Sequence, residues 1–324
     1  MGLDAMTRVT CAVLDDYQGV ALSMADWSAV ADRVDVRVFR ERFESENALV
    51  AALGDCAIVV IMRERTPFPA SLLARLPALR LLVTTGMKNA AVDVAAARAR
   101  GITVCGTASA SAPPAELTWA LLLALAKHVV PEHTSFANRG PWQRTIGVDL
   151  YGRRLGLLGL GKIGTRVARV GLAFGMDVMA WSQNLTAERA AEAGVRLAGS
   201  KEELIETSDF VSIHLILSGR TRGLLDADAL RRMKRTAFLI NTSRAPIVDR
   251  DALVRALREG WIAGAGLDVF EVEPVPADDP LRSMPNVVAT PHVGYVSDAN
   301  YRTYFGEAVD DIRAFLDGAP VRVL

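Results

Sequence analysis

The sequence predicts a doubly wound α/β protein with two domains, and three observations support that prediction. The chain has 324 residues, more than a single hydrophobic core normally holds. Short runs of apolar and β-branched residues alternate with segments whose apolar residues recur at helical spacing. A glycine-rich turn, Gly159–Gly164, opens a second alternation about halfway along the chain. Because strands and helices alternate strictly, we expect parallel sheets with helices on both faces.

The first third of the chain predicts strands separated by helical segments. Gly101 stands where a helix C-cap glycine is expected, directly before a strand. The expected strands are Val9–Leu14, Val34–Phe39, Ala57–Met62, Leu79–Thr84 and Ile102–Cys105. The expected helical segments are Met24–Arg33, Glu44–Leu53, Ala70–Leu76 and Asp93–Arg100.

A long helix is expected to lead from the first domain into the second. Ala115–Val130 is almost continuously apolar and stops before Pro131, which cannot lie in a helix interior. Pro113 and Pro114 fit the start of that helix, where a missing N–H costs nothing. The stretch 139–152 is rich in glycine and is expected to form a loop.

The second alternation predicts another sheet and one returning helix. Asp298–Leu316 reads as a helix that can return to pack on the first domain, which would then be discontinuous. We therefore expect one domain at 1–104 with 296–324, and the other at 105–295. The expected strands are Arg154–Leu158, Asp177–Trp181, Phe210–Ile216, Ala237–Asn241, Ala265–Val269 and Val287–Ala289. The expected helices are Ile163–Phe174, Ala187–Ala193, Glu202–Thr207, Asp228–Met233 and Asp249–Glu259.

The charge balance argues against nucleic acid or membrane partners. Lysine plus arginine and aspartate plus glutamate number 37 each, and no long basic run is present. The longest apolar stretch, Trp119–Ala126, is far shorter than the ~20 residues that span a bilayer. Met1–Met6 has no basic stretch followed by an apolar run, so no signal peptide is expected.

The cysteines and histidines indicate no metal site. Cys11, Cys56 and Cys105 are scattered, which favours reduced, mostly buried thiols and a cytoplasmic protein. None of them lies at zinc-ligand spacing from a histidine, so metal dependence is disfavoured. The histidines are His128, His133, His214 and His292.

The glycine-rich turn predicts a dinucleotide site. Gly159, Gly161 and Gly164 follow an apolar strand directly and open an amphipathic helix, with Lys162 and Ile163 between them. One glycine allows the tight turn, one lets the backbone approach a pyrophosphate, and one permits close helix–strand packing. The helix N-terminus then offers N–H groups and a positive dipole end to the phosphates. The pattern is weak alone, but its strand–turn–helix context favours dinucleotide binding over a merely structural turn.

The end of the next predicted strand leaves the choice between NAD and NADP open. An acidic residue is expected there to bind the adenosine ribose, but the chain has Ser182, Gln183 and Asn184. No carboxylate repels a 2′-phosphate, and no arginine follows at once to bind one. Ser182 and Gln183 can hydrogen-bond either cofactor.

Three further segments lie near predicted strand ends, where open α/β sheets place ligands. They are Asn241–Arg244, Gly266–Pro274 and Thr290–Gly294. Together with the glycine turn, in this order, they closely resemble the D-isomer-specific 2-hydroxyacid dehydrogenase family over most of the chain. The resemblance implies a Rossmann cofactor domain inserted into a flavodoxin-like substrate domain. It also implies a nicotinamide-dependent oxidoreductase that interconverts a 2-keto acid and a D-2-hydroxy acid.

The resemblance assigns roles to individual residues. Arg244 matches the arginine that binds the substrate carboxylate and carbonyl oxygen, and Glu273 matches the acid paired with the catalytic histidine, His292. Backbone N–H groups of Gly86 and Met87 are implied to bind the substrate carboxylate as well. The remaining cofactor-binding residues that we assign are Ser182, Gln183, His214, Thr242, Ser243, Asp268 and Thr118, with Asp268 holding the nicotinamide carboxamide.

Elementary chemistry supports the catalytic roles separately. Reduction of a keto acid needs a cation for the carboxylate, a proton for the carbonyl oxygen and a hydride at C2. A guanidinium offers paired donors that fit a carboxylate, and it cannot deprotonate. Imidazole can donate a proton near neutral pH, and a neighbouring carboxylate fixes its tautomer. The hydride comes from the nicotinamide.

Each assignment also has a structural alternative. Arg244 could be a surface charge, Glu273 a solvated loop charge and His292 a turn histidine bonded to the backbone. Asp268 could cap a turn after its strand. His214 fits a structural histidine near the cofactor better than a second acid. The order and spacing of the segments favour the functional reading.

The chain departs from the usual family pattern at three places. Ala245 follows Arg244 where glycine is usual, and Ile216 replaces a frequent proline after His214. Lys88 stands where many members have aspartate. A lysine there could attract an acidic second group on the substrate or face solvent, and we favour solvent. None of these departures removes a required catalytic group.

Two alternative functions stay open beside the dehydrogenase. Formate dehydrogenases share the fold but pair the histidine with glutamine, and Glu273 argues against them. A nicotinamide-binding regulator or scaffold would lack turnover, and it would not need a proton donor. The resemblance further implies a homodimer paired through the cofactor domain, with NAD as the default cofactor. Glyoxylate, hydroxypyruvate, pyruvate and bulkier keto acids are all possible substrates.

Overall fold

The structure, a computed structural model, describes residues 8–324 and divides them into two compact units. One unit comprises the described residues through Ala110 together with Val296–Leu324, and the other is Ser111–Tyr295. We had expected the first division at 104/105. Met1–Met6, where no signal peptide is expected, lies outside the described residues.

The first unit is a parallel sheet whose five strands follow the order β2-β1-β3-β4-β5. The chain starts near the middle of the sheet and reverses direction between β1 and β3, as a doubly wound sheet requires. The strands are β1 Val9–Val13, β2 Val34–Val38, β3 Cys56–Ile61, β4 Leu81–Thr84 and β5 Thr103–Gly106. The helices are α1 Glu46–Leu53, α2 Ala70–Leu73, α3 Val94–Ala99 and, from the end of the chain, α11 Asp298–Leu316.

The helix expected at Met24–Arg33 is wrong in extent. Only a 3₁₀ turn at Trp27–Val30 forms there. The Asp26 side chain accepts from Ser28 N and so caps a single short turn. Trp27 and Val30 are buried, and α11 packs against this turn and against β4. The apolar spacing therefore reflected two buried side chains rather than a continuous helix.

The second unit is also a parallel sheet, in the order β12-β11-β10-β9-β6-β7-β8. The first strand, β6, lies between β7 and β9, so the chain reverses direction beside it. The strands are β6 Arg154–Leu158, β7 Asp177–Trp181, β8 Arg196–Leu197, β9 Phe210–Ile213, β10 Phe238–Asn241, β11 Gly264–Leu267 and β12 Val287–Ala289. The helices are α4 Ala112–Ala126, α5 Val129–Ala137, α6 Lys162–Ala173, α7 Ala187–Glu192, α8 Lys201–Thr207, α9 Ala227–Arg232 and α10 Arg250–Glu259.

Apolar clusters cover both faces of the second sheet. One cluster includes Leu204, Leu230 and Leu257 from α8, α9 and α10, and the other includes Leu122 and Val167 from α4 and α6. Strands buried on both faces explain why the sequence shows continuous apolar runs rather than an alternating pattern. The predicted fold class, two doubly wound parallel-sheet units, is confirmed.

The long helix expected at Ala115–Val130 forms as α4, but its expected end at Val130 is wrong. The chain instead forms α4 and α5, with His128 between them in the left-handed region at φ 50°. Pro131 lies in the first turn of α5, where its missing N–H leaves no hydrogen bond unmade. Proline therefore marks the start of a second helix here rather than the end of the first.

Two smaller corrections concern strands. The strand expected at Phe210–Ile216 ends at Ile213, so His214 lies in the loop after it. The two-residue strand β8 was not predicted, because two residues carry no periodicity. Cys11, Cys56 and Cys105 are buried and unbridged, as expected. Within residues 8–324, no helix combines the length and apolarity that crossing a membrane requires.

Candidate active site

The glycine turn joins β6 to α6 and needs its glycines for steric reasons. Gly159 has φ 103°, and a Cβ there would lie 2.5 Å from the His214 carbonyl oxygen. A Cβ on Gly164 would collide with the carbonyl of Gly159. By contrast, a Cβ on Gly161 would meet no atom within 4 Å. Gly159 therefore lets the turn pack against the residue that follows β9, and Gly164 lets the start of α6 pack against the turn. Gly161 leaves the backbone open on one side.

The open side of this turn fits the pyrophosphate of a dinucleotide. Gly161 is the N-cap residue of α6, a 12-residue helix, so unpaired N–H groups and the positive end of the helix dipole lie at this position. Lys162 is exposed in the first turn and adds a positive charge, whereas Ile163 is half-buried against the apolar cluster beneath. The glycine turn and Lys162 can therefore hold the phosphates, while Ile163 anchors the helix.

The end of β7 lies beside the glycine turn, where the adenosine part of a dinucleotide is expected. Gly159 N donates to the Trp181 carbonyl over 2.9 Å, which ties the turn to this strand. Ser182 is half-buried, and Gln183 and Asn184 are exposed. No acidic side chain stands at these three positions, so only neutral polar groups face a ribose or a 2′-phosphate.

His214 follows β9 and packs against the glycine turn. Its Nε2 lies 2.9 Å from Ser212 Oγ, but its buried Nδ1 has no hydrogen-bond partner. Burial lowers the pKa of His214 to about 4, so the ring is neutral at physiological pH. A neutral, buried ring is no proton donor for catalysis. Its unpartnered nitrogen is instead consistent with a ligand at the glycine turn.

Thr118, Thr242 and Ser243 hold the C-terminal end of β10 in place. The Thr118 hydroxyl donates to the Pro114 carbonyl over 2.8 Å, so the Thr242 hydroxyl, also 2.8 Å away, is the donor between the two threonines. Ser243 Oγ donates to the Ile213 carbonyl at 2.7 Å. These side chains therefore have structural partners, and the contacts to a cofactor that we expect of them would be additional.

Glu273 and His292 form a hydrogen-bonded pair, although 19 residues separate them. Glu273 Oε2 lies 2.7 Å from His292 Nδ1, and Glu273 Oε1 accepts from Phe270 N at 2.8 Å. His292 has φ 53°, in the left-handed region, and its ring meets the Tyr295 ring edge-on at 5.6 Å. The carboxylate thus fixes one ring nitrogen and leaves Nε2 as the atom that can exchange a proton with a substrate.

The electrostatics of the pair keep the carboxyl group ionised. Burial would raise the pKa of Glu273, but the hydrogen bond from His292 and the positive charge on that ring outweigh it. The Phe270 N–H and the charge of Arg244 lower the pKa of Glu273 further, so it stays below its ordinary value. An ionised carboxylate can only accept, so His292 Nδ1 must carry a hydrogen.

Asp268 holds the turn that carries His292, a role that the sequence did not reveal. Its Oδ1 accepts from Thr290 Oγ1 at 2.6 Å and from Val293 N at 2.8 Å, and its Oδ2 accepts from Gly294 N at 2.8 Å. Asp268 is 1% exposed. Burial, only partly opposed by these hydrogen bonds, raises the pKa of Asp268. The Asp268 carboxylate thus binds residues that precede and follow His292 in the sequence.

We expect Asp268→Asn to lower kcat about tenfold and to destabilise the fold by about 2 kcal/mol. The side-chain NH₂ of asparagine cannot accept the hydrogen bonds that one of the two carboxylate oxygens accepts. The affinity for NADH should stay within twofold of wild type if the residue acts by positioning His292. Steady-state kinetics, fluorescence titration with NADH and urea unfolding measure the three quantities. A large loss of NADH affinity with normal kcat would instead favour contact with the nicotinamide.

Arg244 follows β10 directly and lies on the same edge of the sheet as the pair. Its Nη1 donates to the Ser243 carbonyl at 2.8 Å, and its own carbonyl accepts from Asn241 Nδ2 at 3.1 Å. Its charge lowers the pKa of Glu273. The strand end and the Asn241 side chain thus position the guanidinium, which can bind an anion.

Gly86 and Met87 belong to the first unit, in the loop after β4. The Gly86 N–H already donates to Thr107 Oγ1 at 2.9 Å, while the Met87 side chain is 44% exposed. Asn89 Nδ2 donates to the Arg63 carbonyl at 2.7 Å and so braces the loop. The hydroxyl of Thr107 therefore already occupies one of the two N–H groups that we expected to bind a substrate carboxylate.

The described residues offer no metal site: no three histidine, cysteine, aspartate or glutamate side chains lie together as ligands in residues 8–324. His128 and His133 have no part in this chemistry. His128 separates two helices, and His133 lies on α5. The site therefore consists of the glycine turn and the strand ends that carry Arg244, Asp268 and the Glu273–His292 pair.

Comparison with known proteins agrees with this geometry. Residues 119–294 match the sequence profile of the "D-isomer specific 2-hydroxyacid dehydrogenase, NAD binding domain". A glyoxylate reductase of Korarchaeum cryptofilum is 38% identical over 282 residues, which cover 85% of this chain and 84% of that protein. A D-3-phosphoglycerate dehydrogenase of Methanocaldococcus jannaschii is 35% identical over 265 residues, 81% of this chain and 50% of its own length. A phosphoglycerate oxidoreductase of Vibrio cholerae O395 superposes with a TM-score of 0.90 at 36% identity, covering 96% of this chain and 100% of its own.

Proposed function

Because the chain belongs to the D-isomer-specific 2-hydroxyacid dehydrogenase family and is a nicotinamide-dependent oxidoreductase, we propose that it interconverts a 2-keto acid and a D-2-hydroxy acid. The observation that carries the proposal is the 2.7 Å contact between Glu273 Oε2 and His292 Nδ1. A protein that only senses the cofactor has no use for a histidine held by an ionised carboxylate. A proton-transferring enzyme needs such a pair.

Each protein group then has one task in the reduction. A bound nicotinamide supplies the hydride. Arg244 binds the substrate carboxylate and carbonyl oxygen through paired N–H donors and so aligns C2. The imidazolium form of His292 gives its Nε2 proton to the carbonyl oxygen, and the neutral ring stays bonded to Glu273 through Nδ1–H. In the reverse direction the same Nε2 accepts the hydroxyl proton.

The direct test is the loss of absorbance of NADH and NADPH with the purified protein and a panel of 2-keto acids. The panel contains glyoxylate, hydroxypyruvate, pyruvate, 3-phosphohydroxypyruvate and a branched keto acid, and a parallel assay offers formate with NAD⁺. We expect turnover with at least one keto acid and none with formate. Tight NADH binding without turnover on any keto acid would favour the regulator, and formate oxidation would favour the formate dehydrogenase.

The panel also tests a substrate with a second anionic group. In the first unit, Arg63 Nη1 donates to the Thr85 carbonyl at 3.1 Å, and its guanidinium fills the space beside Gly86. Arg65 follows β3, as Arg63 does, and its guanidinium carbon lies 4.5 Å from the centre of the Tyr17 ring. Relatives named for 3-phosphoglycerate act on a molecule that carries a phosphate at the opposite end from its carboxylate, whereas the carboxylate is the only anionic group of glyoxylate. Arg63 and Arg65 supply two cations on this unit, and the ratio of kcat/KM for 3-phosphohydroxypyruvate over glyoxylate tests whether a second anionic group is bound.

We propose NAD as the cofactor, with weak discrimination against NADP, because Ser182–Asn184 carries neither a carboxylate nor a cation. Gln183→Asp should raise the ratio of kcat/KM for NADH over NADPH about tenfold, since a carboxylate accepts from the ribose hydroxyls and repels a 2′-phosphate. Asn47→Asp, which adds a carboxylate at an exposed position of the first unit, is the matched control. An unchanged ratio in Gln183→Asp would place the adenosine ribose elsewhere.

We propose that the partner is a second copy of the chain, bound through the second unit. A groove of about 640 Å³ lies between α5 and the loop after it. Phe136 and Trp142 on its walls are 71% and 80% exposed, and Ile146 farther along the same loop is 92% exposed. Exposed apolar side chains at this density are typical of protein interfaces. Their position on the cofactor-binding unit matches the family's mode of pairing.

Trp142→Glu combined with Ile146→Glu should convert a dimer to a monomer, because each carboxylate would be buried without a partner. Sedimentation equilibrium measures the mass, and Leu22→Glu, an exposed leucine of the first unit, is the control. A wild-type chain that is already monomeric at micromolar concentration would contradict the proposed dimer. A double variant that remains dimeric would place the interface on another surface.

A further inference from the structure

Asp311 on α11 is a buried acid that the catalytic chemistry does not use. The residue is 0% exposed. Its Oδ1 accepts from Arg322 Nε at 3.0 Å, whereas its buried Oδ2 has no hydrogen-bond partner. A buried carboxylate usually has partners for both oxygens, because an unpaired charge in the interior is costly. A protonated carboxyl group is neutral and would remove that cost.

Asp311 shares the cation Arg322 with a second carboxylate. Glu307, one helical turn earlier, has Oε2 at 3.7 Å from Arg322 Nε, and its backbone carbonyl accepts from Arg322 Nη2 at 2.8 Å. The Glu307 carboxylate also accepts from Ala108 N at 2.6 Å. Two carboxylates therefore face one guanidinium, and the cluster is neutral only when one of the two holds a proton.

The cluster fastens the C-terminal residues 322–324, which we call the tail, to β5. The Arg322 carbonyl accepts from Gly106 N at 3.0 Å, and Leu324 N donates to the Val104 carbonyl at 2.9 Å. Val323 and Cys105 form an antiparallel bridge between them. Arg322 is thus both the cation of the cluster and the first residue of the tail, so the charge on Asp311 acts directly on the tail.

The other groups around Asp311 do not neutralise it. Asp310, its neighbour on α11, is exposed and bonded to Arg313 over 3.0 Å. Cys105 on β5 is buried, and burial raises the pKa of its thiol to about 12 with help from the charge of Asp311, so the thiol is neutral. The strand β4 and the 3₁₀ turn at Trp27–Val30, which also pack on α11, contain no titratable side chain. At the far end of α11, Asp317 pairs with Arg33.

We propose that Asp311 is the acid of a pH-sensitive latch: it keeps a proton while the tail is bound to β5, and loss of that proton loosens the tail. Burial raises the pKa of Asp311 to about 7, with Arg322 opposing the rise and Glu307 and Asp310 adding to it. An aspartate of the unfolded chain titrates near ~3.9. Between these values only the folded chain holds the proton, so stability falls as pH rises through this window and levels off above it.

The test compares Asp311→Asn, which mimics the protonated acid, with Asp310→Asn, which removes a neighbouring exposed carboxylate. Urea unfolding is measured from pH 5 to pH 8, and amide hydrogen exchange of Gly106 and Leu324 is followed in the same samples. Relative to Asp310→Asn, the unfolding equilibrium constant of Asp311→Asn should fall by up to about tenfold per pH unit as pH rises through the window. Exchange at both amides should become slower in Asp311→Asn at pH 8. Parallel pH profiles in the two variants would overturn the proposal.

A second measurement uses the wild-type chain alone, in case Asp311→Asn does not fold. The infrared C=O band of a buried, protonated carboxyl group should be present at pH 6 and should disappear with a midpoint near pH 7. Asp310→Asn should keep this band. A wild-type spectrum without any protonated carboxyl band at pH 6 would show that Asp311 is ionised there and would refute the latch.

Discussion

His292→Ala should lower kcat for the preferred keto acid by about three orders of magnitude while leaving NADH binding unchanged. General acid catalysis contributes roughly 10²–10⁴-fold in enzymes, and within residues 8–324 His292 is the one histidine that an ionised carboxylate orients. Glu273 Oε2, 2.7 Å from Nδ1, would lose its partner, but no residue of the glycine turn would move. Stopped-flow turnover at saturating cofactor, with NADH fluorescence titration, measures both quantities.

His128→Asn is the matched control for that variant. His128 also has a left-handed backbone, at φ 50°, but it separates α4 from α5 and has no carboxylate partner. Asparagine tolerates this conformation, so the control should keep wild-type turnover. If His292→Ala turned over at more than a tenth of the wild-type rate, the proton would have to come from another group. The catalytic assignment would then be wrong.

Arg244→Lys should reduce kcat/KM for the keto acid roughly a hundredfold, equal to about 2.7 kcal/mol of transition-state stabilisation. Lysine keeps the charge but offers a point contact in place of the planar pair of donors that aligns a carboxylate and its neighbouring carbonyl. The loss should be divided between a higher KM and a lower kcat, because the guanidinium both binds and orients. Added guanidinium chloride should partly rescue Arg244→Ala but not Arg244→Lys, whose ammonium occupies the space.

Arg255→Lys serves as the control for this replacement. Arg255 lies exposed on α10 and pairs with Glu259 over 3.7 Å, so its exchange for lysine should leave kcat/KM unchanged. A kcat/KM of Arg244→Lys within threefold of wild type would mean that simple charge suffices. The proposed bidentate contact with the substrate would then have to be abandoned.

Most of the fold could be predicted from the sequence, because buried strands leave a strong local signal. The bounds of β6, β7, β12 and α11 agree with those expected from the sequence, since each is a contiguous apolar run or a clear amphipathic period. The errors occur where the tertiary structure departs from the secondary structure that the local spacing of apolar residues predicts. Pro131 lies in the first turn of α5, where the sequence predicts the end of a single helix over Ala115–Val130. The left-handed conformation of His128 between the two helices leaves no recognisable pattern in the sequence.

The site shows the same division between local and long-range information. Order and spacing of the segments were enough to propose Arg244, Glu273 and His292. The tether from Asp268 to the turn around His292 could not be predicted, because it depends on how two strand ends meet and on a left-handed residue between them. Likewise, the bond from Phe270 N to Glu273 depends on the path of a loop, which residue types do not specify.

The contact between Gly159 and the His214 carbonyl limits how this protein can be redesigned. A side chain on Gly159 would need the neighbouring strand end to shift, so this position of the glycine turn has almost no tolerance for substitution. Gln183 and Asn184, by contrast, are exposed at the end of β7 and can change without disturbing the core. Evolution or an engineer seeking a new cofactor preference would therefore find more freedom at the end of β7 than at Gly159. That glycine would stay constant across variants that differ at Gln183 and Asn184.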